Sequence, residues 1–182
     1  MLSLSLAQNR SRITALGIVG FALAAAAAAQ VAIPLPYTPV PVSLTPLVVV
    51  LSGLLLGPIA GAASMLLYLL AGAAGLPVFA PIGAPGLARF FGPTGGYLIA
   101  YPAAAFVAGA LARRLPSLVG RWGAATVGMA MIFVGGIAQL TLFTGSFPRA
   151  LALGITPFAA LDVVKAFVAA LLSGRRSTTP RD

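Results

Sequence analysis

Long apolar runs, separated by short segments rich in proline, glycine or arginine, set the pattern of this chain. The runs predict six helices, at about 13–33, 45–57, 59–74, 93–112, 124–143 and 157–172. The first run is long enough to cross a bilayer core of roughly 30 Å, whereas the second is short for a full span. We therefore expect an all-α polytopic membrane protein with six transmembrane helices in a single integral membrane domain, residues 1–182.

Residues 75–97 interrupt this pattern. Four prolines and six glycines among these 23 residues exclude a continuous helix, yet the segment is mostly apolar and carries one charge, Arg89. Non-helical backbone at membrane depth must be shielded by protein or line a cavity, because its unpaired polar groups cannot face lipid. We predict that this segment forms an ordered cap over a small-molecule site on the outer side of the membrane.

Prolines also mark the other connections. Those between residues 34 and 42 recur at every second or third position and predict an extended, semi-rigid outer loop. Pro46, Pro93 and Pro157 stand at the predicted starts of the second, fourth and sixth helices, all of which run inward. Their positive dipole ends would gather on the outer side and favour an anionic ligand group, although proline in a first turn is also ordinary helix initiation.

Composition supports a membrane protein, and the charges give its orientation. With 60% hydrophobic and 7% charged residues, the chain has too few polar groups to cover a soluble globule. Eight of the eleven basic residues fall on one side of the predicted topology, which the positive-inside rule assigns to the cytoplasm: Arg10, Arg12, Arg113, Arg114, Arg121, Arg175, Arg176 and Arg181. Both termini are then cytoplasmic, and the net charge of +9 indicates membrane topology rather than nucleic-acid binding.

The first predicted helix leaves two questions open. The preceding basic residues and the alanines at 24–29 imitate a signal peptide, but the apolar run is longer than the usual 7–15 residues of such a peptide. Small residues at four-residue spacing, Ala22 with Ala26 and Ala24 with Ala28, let another helix approach closely. They serve either packing within the monomer or docking of a partner subunit.

The chain contains no cysteine and no histidine. Disulfides, Cys/His metal sites, thiol nucleophiles and imidazole bases are therefore excluded, which argues against an enzyme. The sequence also carries no nucleotide-binding signature, so any use of ATP is assigned to another chain and no cofactor is expected.

Asp162 and Lys165 lie inside the sixth predicted helix, and their i, i+3 spacing places them on one face. Each costs about 2.5–3.5 kcal/mol to insert at a membrane-helix centre, so neither should face lipid. The pair either forms a salt bridge that closes the bundle or presents polar groups to a ligand. Arg89 is either a second partner for a ligand carboxylate or an arginine that faces lipid headgroups.

The motifs Gly75-Leu76-Pro77-Val78-Phe79-Ala80 and Gly92-Pro93-Thr94-Gly95-Gly96-Tyr97, with Pro157-Phe158 and the two charges after it, resemble the BioY family. Its members are biotin-specific substrate-capture (S) components of energy-coupling factor (ECF) vitamin transporters. The resemblance implies six helices, a multi-pass protein of the bacterial cell (inner) membrane, an outer biotin pocket, and coupling to a transmembrane T component with two ABC-type ATPases. This chain departs from the pattern of many relatives, which have Pro-Gly directly before the aspartate.

The resemblance also implies roles for particular residues. The aspartate and lysine associated with holding biotin correspond to Asp162 and Lys165, and the small residues that dock the T component suggest the Ala22/Ala26 and Ala24/Ala28 faces. Asp162 can accept a ureido N–H, Lys165 or Arg89 can meet an oxygen, and aromatic rings can pack the apolar parts of biotin. The residues expected at the ligand are Asp162, Lys165, Arg89, Tyr97, Phe79, Phe90 and Thr94, with Phe91 as a further ring.

Two rival functions stay open at this point. A stand-alone secondary transporter would use Asp162 as a proton site and follow the proton gradient. An S component for a different vitamin would share the fold and differ in its pocket residues. A homodimer is a further possibility if the protein works without energising partners.

Overall fold

The computed structural model of this protein describes residues 2–174, and their side chains from residue 11 onward. In chain order, the elements are α1 (Leu2–Gln30), β1 (Ala32–Leu35), β2 (Thr38–Ser43), α2 (Thr45–Leu56), α3 (Pro58–Ala73), a 3-10 helix (Gly86–Phe91), α4 (Gly95–Arg114), α5 (Leu118–Thr144), α6 (Phe147–Gly154) and α7 (Ala159–Gly174).

The lengths of the helices bear on the predicted six membrane spans. Within residues 2–174, three helical segments are long and apolar enough to cross a membrane: Ser11–Gln30, Gly95–Arg114 and Leu118–Thr144. Helices α6 and α7 meet at a bend of 53° and together would make a fourth span. The helices α2 and α3 are apolar but shorter, so six full-length transmembrane helices are not confirmed.

The prediction of an all-α fold is wrong for the proline-rich segment after α1. Strands β1 and β2 pair antiparallel, with Ala32 opposite Ser43 and Leu35 opposite Thr38. The register is irregular between Ile33 and Leu35, at Pro34, which has no N–H to donate to the ladder. The prolines thus keep this segment extended, as expected, and its other residues pair into a hairpin.

Several helix boundaries also differ. Helix α1 ends at Gln30 because the next residues enter the hairpin, and α5 begins at Leu118, where the Ser117 side chain accepts a hydrogen bond from the backbone N–H of Gly120. Residues 144–156, which lie between the fifth and sixth predicted helices, include a further helix, α6, and α7 begins only at Ala159, after a turn. Helices α2 and α3 lie within one residue of their predicted bounds.

Close helix approach depends on glycine at two crossings. A Cβ at Gly53 of α2 would lie 2.1 Å from the carbonyl oxygen of Ala105 in α4. A Cβ at Gly96 of α4 would likewise lie 2.1 Å from the carbonyl oxygen of Gly135 in α5. Helix α4 therefore packs against both neighbours at backbone distance, the arrangement that small residues permit in membrane helices.

The molecule has two chemically different ends. Arg113, at the end of α4, packs against Gly57 in the turn between α2 and α3, and Arg121 packs against Gly174 at the end of α7. We call this the arginine end. The hairpin, residues 75–94 and α6 lie at the opposite, loop end. Arg175, Arg176, Arg181 and the side chain of Arg10, predicted to be cytoplasmic, lie outside the described residues.

Candidate functional site

A cavity lies at the loop end, between the hairpin, the cap and the helices beneath them. It is lined by side chains from β2, α2, α3, the cap, α4, α5 and α7, together with Ala29 of α1. The polar or charged members of this lining are Ser43, Thr45, Tyr68, Arg89, Thr94, Tyr97, Tyr101, Asp162 and Lys165. The remaining lining is apolar, as in most small-molecule pockets.

Asp162 and Lys165 form an ion pair in this lining. The Lys165 Nζ lies 2.6 Å from Asp162 Oδ1 and donates a second hydrogen bond, of 2.8 Å, to the backbone carbonyl of Ser43. Their side chains are 9% and 12% exposed, respectively. One N–H of the ammonium is left over, and no described residue donates to Oδ2 of the carboxylate. The pair is therefore a salt bridge that also presents unused donor and acceptor capacity to the cavity.

Arg89 lies in the 3-10 helix and is 7% exposed, so it does not face lipid headgroups. Its two terminal nitrogens donate to the backbone carbonyls of Ala80 and Ile82, and its buried Nε has no partner among the described residues. Burial lowers the pKa of Arg89 from its ordinary value, but a guanidinium stays charged at neutral pH. Arg89 thus holds the cap together and brings a positive charge to the cavity wall.

Gly83 explains how the cap wraps around this guanidinium. Its φ of +102° lies in the region that favours glycine, and a Cβ there would lie 2.5 Å from an Arg89 Nη atom. The turn therefore requires glycine both for its backbone conformation and for space.

A row of aromatic rings lies along one side of the cavity, and three of its four members line it. The ring centroids of Tyr101 and Tyr68 are 6.4 Å apart, those of Tyr68 and Phe79 are 5.4 Å apart, and those of Phe79 and Phe90 are 5.7 Å apart. Phe90 does not line the cavity; it packs edge-to-face on Phe79, which does. Phe91 is largely exposed, because neighbouring positions of a 3-10 helix point in different directions.

The starts of three helices meet at the cavity. Thr45 and Pro46 come from the first turn of α2, Thr94 and Tyr97 from the start of α4, and Asp162 from the first turn of α7. Pro46 occupies a first turn as predicted, whereas α4 and α7 begin two residues after Pro93 and Pro157. The positive dipole ends therefore gather around the site even though only one of these three helices has proline in its first turn.

Two glutamines that the sequence analysis did not single out hold the cap in place. Gln139 of α5 donates to the carbonyl oxygens of Phe90 and Gly92, at 2.8 and 2.6 Å. Gln30 at the end of α1 donates to those of Phe79 and Pro77, at 3.2 and 3.4 Å. Side-chain amides within apolar helices are a signal of interhelical hydrogen bonding that the sequence did offer.

Tyr68, Tyr101, Ser43 and Thr45 were also missed. The two tyrosines stand in predicted helices and could have been noticed as polar groups at membrane depth. Ser43 reaches the cavity only because the hairpin folds back over it, and Thr45 follows at the start of α2; no local pattern indicates this arrangement.

The comparisons with known proteins identify the family. The model of the BioY family matches residues 6–180. The chain belongs to the BioY family. "Probable biotin transporter BioY" of Pyrococcus horikoshii is 38% identical over 140 residues, which cover 75% of this chain and 80% of that protein. "Biotin transporter BioY" of Thermotoga maritima is 36% identical over 84 residues, 46% of this chain and 50% of that protein.

A solved structure shows the same fold. The crystal structure, at 2.1 Å, of the S-component for biotin from an ECF-type ABC transporter superposes with a TM-score of 0.87, 24% identity and coverage of 94% of both chains. The family resemblance inferred from the motifs is confirmed, and this BioY-family chain is an integral membrane protein of a transporter family rather than an enzyme.

In this BioY-family chain, the predicted docking alanines do not share one environment. Ala22 is buried inside the monomer, Ala24 is exposed, and Ala26 and Ala28 are half-buried. Gly20, one helical turn before Ala24, is exposed with open space beside it. The outward face of α1 therefore includes Ala24 but not Ala22.

Proposed function

We propose that this protein captures biotin on the outer side of the bacterial cell membrane, as the S component of an ECF-type transporter. Its T component and two ABC-type ATPases would be separate chains. Family membership and the names of the relatives support biotin as the ligand. The observation that carries the proposal is the cavity at the loop end, where the Asp162–Lys165 pair and Arg89 line one otherwise mainly apolar space.

The donors and acceptors of the cavity match those of biotin. Biotin has two ureido N–H groups and a ureido carbonyl, an apolar thioether ring and valeryl chain, and a carboxylate. The Oδ2 atom of Asp162 accepts a ureido N–H, while the remaining N–H of Lys165 or the guanidinium of Arg89 donates to a carboxylate oxygen. Phe79, Tyr97 and Phe158 supply apolar surface for the ring and the chain.

Capture requires the cap to admit the ligand and then to cover it. Gln30 of α1 and Gln139 of α5 bond to the two ends of the cap, and Arg89 bonds to carbonyl groups within it. The cap should therefore move as one unit. Binding energy released at Arg89 and Phe79 therefore stabilises the closed cap directly, since both residues belong to it.

The arginine end faces the cytoplasm in this proposal, with both termini on that side. Arg113, Arg114 and Arg121 all lie at the arginine end, opposite the cavity, which agrees with the positive-inside rule. Ala24 and Ala28, one helical turn apart, form the face of α1 that docks the T component, while Ala22 and Ala26 lie on the side that packs against the monomer. A homodimer would use the same face when the energising subunits are absent.

The identity of the ligand is tested first. The protein is purified in detergent and extracted with heat, and the co-purifying small molecule is identified by mass spectrometry and quantified. We expect one molecule of biotin per chain. One molecule of a different vitamin per chain would overturn the assignment of biotin as the ligand, but not the assignment of the fold to S components.

The energy source is tested separately, in vesicles that contain the protein with or without its T component and ATPases. ATP-dependent biotin accumulation only in the complete assembly supports an S component. Uptake by the isolated chain that follows an imposed proton gradient would instead establish a secondary transporter with Asp162 as its proton site.

A further inference from the structure

Tyr68 of α3 and Tyr101 of α4 form a stacked pair in the wall of the cavity. Their ring centroids are 6.4 Å apart with an angle of 25° between the planes. The two residues are only 2% and 6% exposed, and both line the cavity. Their side chains are therefore fixed by packing before any ligand arrives.

The hydroxyl groups of this pair have no hydrogen-bond partner among the described residues. By contrast, the hydroxyl of Tyr97 donates to the carbonyl oxygen of Gly154 at 3.1 Å. Among the described side chains, the solvent-inaccessible nitrogen and oxygen atoms without a partner are Nε of Arg89 and Nε of Arg121. The hydroxyls of Tyr68 and Tyr101 also lack a partner but are not among these inaccessible atoms, so they face free space. That space is the cavity that both tyrosines line.

A buried tyrosine hydroxyl usually finds a partner, because leaving it unpaired costs free energy. Phenylalanine would pack the same ring without that cost. The unpaired hydroxyls are therefore explained if a ligand supplies the acceptor.

The proposed function assigns a charged donor to the carboxylate of biotin but no donor to its ureido carbonyl. We infer that the hydroxyls of Tyr68 and Tyr101 both donate hydrogen bonds to the ureido carbonyl oxygen of biotin. A carbonyl oxygen has two lone pairs and can accept from both members of one pair. This inference rests on the proposed function.

The location of the pair supports this assignment. Tyr101 lines the same cavity as Asp162, the residue proposed to accept a ureido N–H, so one ureido group can contact both residues. Tyr68 also lies within electrostatic reach of Arg89, which makes the ligand carboxylate the rival acceptor. The two acceptors are distinguished with ligand analogues.

The experiment measures equilibrium binding to the purified full chain and to its Tyr68→Phe and Tyr101→Phe variants. The ligands are biotin, desthiobiotin, biotinol, and the analogue in which a thiocarbonyl, a weak acceptor, replaces the ureido carbonyl. Tyr37→Phe is the matched control, because Tyr37 is exposed in the hairpin turn and does not line the cavity. Ligand-free melting temperatures are recorded for every variant.

Each phenylalanine variant should bind biotin, desthiobiotin and biotinol about tenfold more weakly, and the thiocarbonyl analogue within about twofold of the unchanged protein. Ligand-free melting should stay the same or rise, because an unpartnered polar group is removed. A purely structural role would lower it.

Unchanged biotin affinity in both variants would overturn the inference, and so would an equal loss of affinity for biotin and for the thiocarbonyl analogue. A loss of affinity that is seen with biotin but not with biotinol would also overturn it, because it would identify the carboxylate as the acceptor. Failure of the unchanged protein to bind biotin would instead defeat the proposed function itself.

Discussion

Lys165 of α7 donates a hydrogen bond of 2.8 Å to the backbone carbonyl of Ser43, 122 positions earlier in the chain. The same ammonium pairs with Asp162 at 2.6 Å. One side chain thus ties the end of the hairpin to the helix that carries the acidic residue of the cavity. In the proposed function, Lys165 would combine ligand contact with this structural role, and an experiment must separate the two.

A double-mutant cycle at Asp162 and Lys165 makes that separation. Asp162→Asn and Lys165→Gln should each lower biotin affinity about ten- to a hundredfold, the worth of a charge-assisted hydrogen bond of roughly 1.5–3 kcal/mol. Each single change should also destabilise the ligand-free protein by about 3 kcal/mol, since it strands a buried charge. Affinity is measured by titration and stability by ligand-free melting.

The double variant decides between the two roles, because it removes the stranded charge. We expect it to recover most of the melting temperature but not the affinity. Recovery of both would show that the pair is a structural salt bridge without ligand contact.

Gln139 should matter through the cap rather than through the ligand. Gln139→Leu removes the donors to the carbonyl oxygens of Phe90 and Gly92 and should weaken biotin binding about tenfold, mainly by faster dissociation. Thr141→Val is the matched control on α5, because the Thr141 hydroxyl donates only to Ile137 of its own helix. Dissociation rates of labelled biotin provide the measurement, and equal rates in the two variants would contradict this role.

The sequence predicts the parts of this fold that depend on neighbouring residues better than the parts that depend on residues far apart in the chain. Apolar runs bounded by Gly57-Pro58 gave α2 and α3 almost to the residue, because the turn between them is local. The hairpin was missed because alternating prolines indicate extension but not pairing, and pairing depends on residues that meet across the turn. Helix α6 was missed because an eight-residue helix at a bend has too short a pattern.

The residues of the candidate site also fall into those that the sequence predicts and those that only the structure reveals. Charged residues at membrane depth are expensive, so Asp162 and Lys165 stood out without any structure. Arg89 stood out as the single charge of the cap, but its bonds to Ala80 and Ile82 depend on how the cap turns at Gly83. The contribution of Ser43 arises from its carbonyl group, which every residue has, so no sequence pattern could single it out.

The orientation is tested by cysteine labelling, which is simple because the chain has no cysteine. Leu115→Cys lies between α4 and α5 at the arginine end, and Tyr37→Cys lies in the hairpin turn at the loop end; both positions are exposed. In intact cells, an impermeant thiol reagent should label only position 37, and in inside-out vesicles only position 115. The reverse pattern would place the cavity on the cytoplasmic side and contradict capture from outside.

The docking face is tested by a contrast between neighbouring alanines of α1. Ala24 is exposed, whereas Ala25 is fully buried against the rest of the bundle. Ala24→Leu should leave biotin affinity and ligand-free melting unchanged but reduce association with the T component at least tenfold, because a bulky side chain holds the partner helix away. Ala25→Leu should lower the melting temperature of the isolated protein, since overpacking a buried site costs about 1–3 kcal/mol. Co-purification with the T component and titration with biotin measure the two properties independently. If Ala24→Leu assembles normally, the partner uses another surface; if it loses biotin binding, that part of α1 belongs to the monomer's own packing.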